Sequence, residues 1–257
     1  MQRRALLIQM TRRDFEQRYV GSMAGWLWGL IHPLMLLLSW TFVFAICMKV
    51  EAPKGALTQS YVLYLLAGYL PWALFQETVL RSANSLVENA NLITKTVFPS
   101  EILPISMFFS SLIHHAFTLA LLVIAIGLTE QHFSLKLAIL PAYTFLIGLF
   151  AVGLGWVAAG LQVYIRDAAQ VASLLLNHLW FWLTPVMIHE EYYPPEFRFL
   201  LDYNPMAYVV RAYRTRLLSS NWPDPGEFAV IAGCSVATFV LGGLFFRQLK
   251  RGFADVL

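Results

Sequence analysis

His189, Glu190, Glu191 and Asp202 come closest, in residue type and spacing, to an acid–base constellation in this 257-residue sequence. Carboxylates beside an imidazole could activate an acceptor hydroxyl, as a membrane-embedded glycosyl- or acyltransferase requires. No nucleophile motif accompanies them. GxSxG and HExxH do not occur, nor does the GxxxxGK[ST] loop that cradles nucleotide phosphates. The two cysteines, Cys47 and Cys234, stand in or beside apolar runs and are too few for a disulfide framework or a metal cluster. We therefore expect no catalytic residue, metal or cofactor in this chain, so any work it does draws its energy from elsewhere.

Four further groups, His114, His115, Asn177 and His178, lie inside apolar runs. A histidine at such depth is a candidate proton carrier. With no carboxylate beside them and every Asp, Glu, Lys and Arg expected outside or at the edge of a span, we read the four as interhelical hydrogen-bonding groups.

Helices must position these residues. Hydrophobic residues make up 58% of the sequence and charged ones 13%, and the mean hydropathy is +0.61, a composition suited to lipid. Six stretches lack Asp, Glu, Lys and Arg: 19–48, 55–76, 102–129, 137–165, 168–189 and 228–246. Each approaches or exceeds the roughly 20 residues that cross a bilayer core. The expected fold class is an all-α integral membrane protein with six transmembrane helices. Continuous apolar runs such as LMLLLSWTFVFAI exclude the alternating strands of a barrel. The first run is too long for a signal-peptide core, so the first helix is expected to remain.

Six crossings put both termini on one side. Arg3, Arg4, Arg12, Arg13, Arg18, Arg81, Lys95, Arg166, Arg247, Lys250 and Arg251 share that side, against Lys49, Lys54, Lys136, Arg198, Arg211, Arg214 and Arg216 on the other. This bias favours cytoplasmic termini.

Within residues 1–20, Leu7, Ile8, Thr11, Phe15 and Tyr19 share one helical arc, with Gln9, Arg12, Arg13 and Glu16 opposite. That is the pattern of a helix lying along the membrane surface, a frayed terminus being the alternative. Gly21, Gly25 and Gly29 then form a small-residue stripe. Residues 84–101 read as a polar loop, too long for a simple connection. At the next membrane edge, Arg166 and Asp167 could pair with each other or with a partner.

The stretch NHLWFWLTPVMIHEEYYPPEFRFLLDYNP, residues 177–205, begins as a membrane helix and departs from it. Pro185 ends or kinks the helix, Pro194 and Pro195 turn the chain, and Asn204 with Pro205 starts a new helix. In that helix Met206, Val209, Val210, Tyr213 and Leu217 share a stripe, while Arg211, Arg214 and Thr215 face away. Residues 190–220 are thus expected to re-enter the membrane without crossing it, which requires surrounding protein or a watery cavity.

In this order the segments RDFEQRYVGSMAGWLWGLIHPL, AGYLPWALFQET, NLITKTVFPSEILPI, GLQVYIRDAAQV, WFWLTPVMI and LDYNPMAYVV resemble the permease subunit of ABC exporters of lipid-linked polysaccharides such as O-antigen, capsule and teichoic acid. The resemblance covers almost the whole chain. It implies a single transmembrane permease domain, 1–257, in a bacterial inner (plasma) membrane. Implied partners are a second copy of the chain, two copies of a cytoplasmic ATPase that holds ATP and Mg, a lipid-linked glycan and membrane lipid, with no nucleic acid.

The resemblance also implies roles for individual residues. Residues 1–20, with Phe15, Arg18 and Tyr19, correspond to a cytoplasmic interface helix. Asn91, Thr94, Lys95, Phe98 and Glu101, within 84–101, belong to the segment that couples to the ATPase, and Arg166 and Asp167 to a second contact. Residues 190–220 correspond to short periplasmic re-entrant helices, with Pro185, Tyr192, Tyr193, Arg211 and Arg214 at a gate. Trp180, Phe181 and Trp182, with Trp40, Phe44 and Tyr64, could stack on sugar rings along a channel, although aromatic residues also anchor helix ends at the interface. Arg211, Arg214 and Arg216 could meet carrier phosphates or lipid headgroups equally well. The other readings are a drug or lipid exporter of the same superfamily, a membrane-embedded transferase and a structural scaffold.

Overall fold

The computed structural model describes residues 2–18, 25–53, 58–130, 135–219 and 224–257. Among them every regular element is helical, apart from one isolated bridge between Glu51 and Ser60. Helix α1 (Gln2–Gln17) is followed by α2 (Trp28–Trp40), which continues into a wider, π-helical segment over Thr41–Cys47. Next come α3 (Tyr61–Glu88), the short α4 (Ala90–Lys95), α5 (Ile102–Glu130) and α6 (Leu140–Tyr164). Helix α7 (Ala168–Leu174), a second π-helical segment over Leu175–Trp180 and α8 (Phe181–Leu183) run on continuously. The chain then forms α9 (Phe199–Asp202), α10 (Pro205–Leu218), α11 (Pro225–Leu249) and α12 (Phe253–Val256).

Four described stretches are long and apolar enough to cross a membrane: Trp28–Cys47, Ile102–Thr129, Leu137–Tyr164 and Pro225–Gly252. Helix α3 is as long, but Glu77 and Arg81 lie in its second half. The charge-free window stops at residue 76, whereas the helix runs on to Glu88. Likewise, 84–101 is mostly not a loop, because α3 and α4 occupy much of it.

Helices α3 and α6 form the centre of the molecule. Helix α3 packs against α5, α6 and α10, and α6 packs against α3 and α11. Lipid solvates apolar side chains as well as protein does, so close van der Waals fit rather than water exclusion holds such helices together. Stacked Phe75 and Phe150, with ring centroids 5.3 Å apart, join α3 to α6. Gly153 and Gly242 bring the α6 and α11 backbones together, and a methyl group on Gly242 would strike the Gly153 carbonyl.

Side-chain caps fix the helix starts. Ser60 accepts from Leu63 N at 3.4 Å, Asn204 from Met206 N at 3.0 Å and Asp224 from Gly226 N at 2.8 Å. Within the span Trp28–Cys47, Leu36, Leu37, Trp40 and Phe44 pack on the core while most other side chains face outward, so lipid or another chain must cover that outer face. Of the expected glycine stripe, Gly29 is buried, Gly25 opens a 3-10 turn with φ +51° and no neighbour against it, and Gly21 lies outside the described residues.

Candidate functional site

The functional candidates gather at the two ends of the bundle. At the α10 end, the chain breaks from its helix after Leu183, as Pro185 requires. That break leaves carbonyls in need of donors, and α10 supplies them through Arg214. Its guanidinium donates to Tyr64 O at 3.2 Å, to Pro185 O at 2.6 Å and to Val186 O. It also lies over the Tyr64 ring, 3.8 Å from the centroid. Gly68 makes room: a Cβ there would come 2.5 Å from Nη2. Arg214 is therefore buried, a correction to the expectation that it faces away from the apolar stripe; Met206, Val209, Val210, Tyr213 and Leu217 are buried as expected, and Arg216 is buried with them.

Asn204 forms a second fastener. Its Oδ1 accepts from Trp180 Nε1 and Met206 N, both at 3.0 Å. Its Nδ2 donates to Leu183 O at 3.1 Å and Thr184 Oγ1 at 2.9 Å. An amide side chain can make four such bonds, and this one makes all of them. Arg211 bonds both Glu190, 2.7 Å from Nη2, and Glu227. Burial works against its charge, but the bonds and charge of the two glutamates outweigh burial and raise its pKa above the ordinary arginine value. Tyr193 donates to Trp182 O at 3.0 Å, and burial, then Glu190, raises its pKa.

These contacts disperse the acid–base cluster read from the sequence. Glu190 is engaged by Arg211, Glu191 Oε2 lies 3.9 Å from His189 Nδ1, and Asp202 is exposed.

The candidate channel aromatics occupy different environments. Trp180 and Phe181 join Trp72, Phe75 and Phe150 in an edge-to-face cluster inside the bundle. Trp182 is 54% exposed. Trp40 meets the Tyr69 ring at 5.1 Å and Phe44 the Tyr61 ring at 5.4 Å, while Tyr64 is buried beneath Arg214. Tyr192 is exposed.

At the α4 end, ion pairs bracket α1 against α3. Arg81 Nη2 lies 2.5 Å from Asp14 Oδ1, and Arg18 Nη1 lies 2.6 Å from Glu77 Oε1. Arg18 also donates to Ser111 on α5 at 3.1 Å. Asp14 sits on the packed arc of α1, where the pattern had no acid, and Ile8 is 68% exposed. Helix α1 packs on α5 through a face chosen by these pairs as well as by its apolar residues. Phe15 is half-buried, and Tyr19 lies outside the described residues.

Asn91, Thr94 and Lys95 project from α4, Phe98 is half-buried and Val97 is wholly exposed. Glu101 turns to Lys250 on the chain's last segment, and its carbonyl accepts from Trp156 Nε1 at 3.0 Å. Arg166 and Asp167 are exposed and make no ion pair with each other among the described residues.

Of the deep polar groups, Asn177 bonds Gln76 and Ser173, and His115 Nε2 lies 3.2 Å from Tyr213 Oη, both linking helices as expected. His114 faces His32 with ring centroids 5.8 Å apart, whereas His178 is exposed. Sequence reasoning missed the pairing of Asp14, Glu77 and Arg81, although the spacing of Glu77 and Arg81, four apart on one helix, was a signal.

The chain is similar along nearly its full length to proteins of named function. It is 27% identical over 253 residues to "O-antigen export system permease protein RfbA" of Klebsiella pneumoniae, covering 98% of this chain and 95% of that one. Against the protein of that name in Myxococcus xanthus, identity is 26% with 99% and 96% covered. "Polysialic acid transport protein KpsM" of Escherichia coli is 21% identical over 242 residues, covering 93% and 91%. Residues 5–218 match the family described as "ABC-2 type transporter"; the chain therefore belongs to that family, as a multi-pass membrane subunit that works with a separate ATP-binding subunit.

Proposed function

We propose that this chain is the channel-forming permease of an exporter that moves a lipid-linked polysaccharide from the cytoplasm to the outer side of the inner membrane, driven by ATP hydrolysis on its partner. One observation carries the reading: O-antigen export permeases match this chain over 98% of its length and 95% of their own. The whole chain is one permease domain, in which α3 and the continuous α7–α8 helix add two spans to the four already described. Both termini lie in the cytoplasm.

The fold suggests how coupling works. The partner ATPase grips residues 84–101, where Asn91, Thr94, Lys95 and Val97 project, with Arg166 and Asp167 as a second contact. Movement of α4 passes directly to α3, and through the Asp14–Arg81 and Arg18–Glu77 pairs to α1 and α5. At the far end, Arg211, Arg214, Tyr192, Tyr193 and Pro185 hold residues 190–220 as a gate in the outer leaflet.

A second copy of the chain completes the passage. The outward face of the span Trp28–Cys47 and the exposed Val171, Leu174, Leu175, Leu179 and Trp182 supply the apolar surface that it and the cargo meet. Trp182, 54% exposed, is the aromatic best placed for contact with sugar rings, with Phe44 and Trp40 contributing from the first span and Trp180, Phe181 and Tyr64 as backing.

The decisive experiment measures ATP turnover by the complex in proteoliposomes. Stimulation by lipid-linked glycan is expected; stimulation by hydrophobic drugs with no response to glycan would sink the polysaccharide reading.

A further inference from the structure

Away from the α2 and α8 faces, α5, α6 and α11 border two cavities that share one wall. The first, about 630 Å³, is lined by Glu101, Trp156, Gly243, Arg247, Lys250 and Arg251. Lys250 is paired with Glu101, but among the described residues no acidic side chain pairs with Arg247 or Arg251, both exposed. The second, about 450 Å³, is almost wholly apolar and includes Phe109, Ala116, Phe145, Gly148 and Phe239. Trp156 of the first cavity and Phe239 of the second touch, with ring centroids 4.8 Å apart.

The order along α11 gives the depth. Arg247, Lys250 and Arg251 stand at the end of a span, where a helix meets headgroups, and Phe239 lies about 12 to 18 Å further in at 1.5 Å per residue. Cations complement the helix C-terminus, but that does not account for the apolar groove below them. A basic rim at headgroup depth above an apolar groove matches one molecule, a phospholipid bearing net negative charge. A second copy of the chain fits poorly here, because a twofold axis through this face would set the same cations against one another.

We propose that this groove binds an anionic phospholipid, its phosphate on Arg247 and Arg251 and one acyl chain among Phe109, Phe145 and Phe239. The inference requires only that α11 crosses the membrane, whatever the exported cargo.

Native mass spectrometry of the full chain, co-purified with its ATP-binding subunit, tests it with phosphatidylglycerol and phosphatidylcholine as probes. Phosphatidylglycerol should be retained over phosphatidylcholine. The double substitution Arg247→Gln with Arg251→Gln should weaken that retention about thirtyfold, about fivefold for each cation removed. Ala116→Phe, which fills the groove from an exposed position, should weaken it independently of charge. Equal retention of the two lipids, or phosphatidylglycerol binding unchanged in the double variant, would overturn the proposal. So would displacement of the lipid by inorganic phosphate, which would mark a simple anion site, or disulfide cross-linking of two copies through Arg247→Cys, which would mark a protein interface.

Discussion

Arg81 on α3 and Asp14 on α1 meet at 2.5 Å although 67 residues separate them. Through this contact α1 is fastened to α3, the helix that leads into α4. Because Asp14 is buried, removing either partner leaves a poorly solvated charge. Asp14→Ala or Arg81→Ala should each destabilise the protein by about 2 kcal/mol, read as a lower thermal midpoint in detergent. Exchanging the two, Asp14→Arg with Arg81→Asp, should recover at least part of the loss. Additive losses without recovery would show that the pair does not fasten the helices.

Arg214 should be the least replaceable arginine. Lysine lacks the planar fork that reaches several carbonyls at once. Arg214→Lys and Arg214→Met should both cost on the order of 2–4 kcal/mol, at about 1–3 kcal/mol for each buried carbonyl left without a donor. Gly68→Ala should be damaging through the same contact, and the double variant Gly68→Ala with Arg214→Ala should cost clearly less than the two singles summed. Chemical unfolding of the purified permease provides the readout.

Trp180→Phe keeps most of the ring contacts but deletes the indole donor to Asn204. A loss of about 1 kcal/mol is expected. Asn204→Ala removes four hydrogen bonds, the α10 cap among them, and should cost several times more. If thermal unfolding ranked the two alike, Asn204 would not be the fastener described.

Val97 touches little of its own chain, so Val97→Asp should leave the thermal midpoint nearly unchanged. It should weaken capture of the ATP-binding subunit by about tenfold or more, as loss of an interface anchor does. Quantitative co-purification and ATP turnover measure the two effects. Normal capture would remove Val97 from the coupling surface.

The sequence made the apolar helices and the start of α10 legible, because charge-free length and an Asn–Pro cap are local signals. The break at Pro185 was equally plain. What Arg214 does was not, since its three carbonyl partners come from positions 64, 185 and 186. An arginine beside a membrane reads as exposed unless the fold brings orphaned acceptors to it. The bracket around Asp14 was hidden for the same reason: a window that stops at the first charge also ends the helix on paper, and long-range ion pairing then goes unseen. Nor was the partner of Glu101 legible, since Lys250 is 149 residues away.

The two π-helical segments, Thr41–Cys47 and Leu175–Trp180, have a bearing on how this chain tolerates change in length. A wide turn carries one residue more than an ordinary one, so each of these helices holds a small reserve of slack. Deleting a single residue within Leu175–Trp180 converts the wide turn to a normal one and leaves Phe181–Leu183 beyond it in register. The same deletion in α3 or α6 swings every following side chain by about 100°, tearing apart contacts that those helices make on all sides.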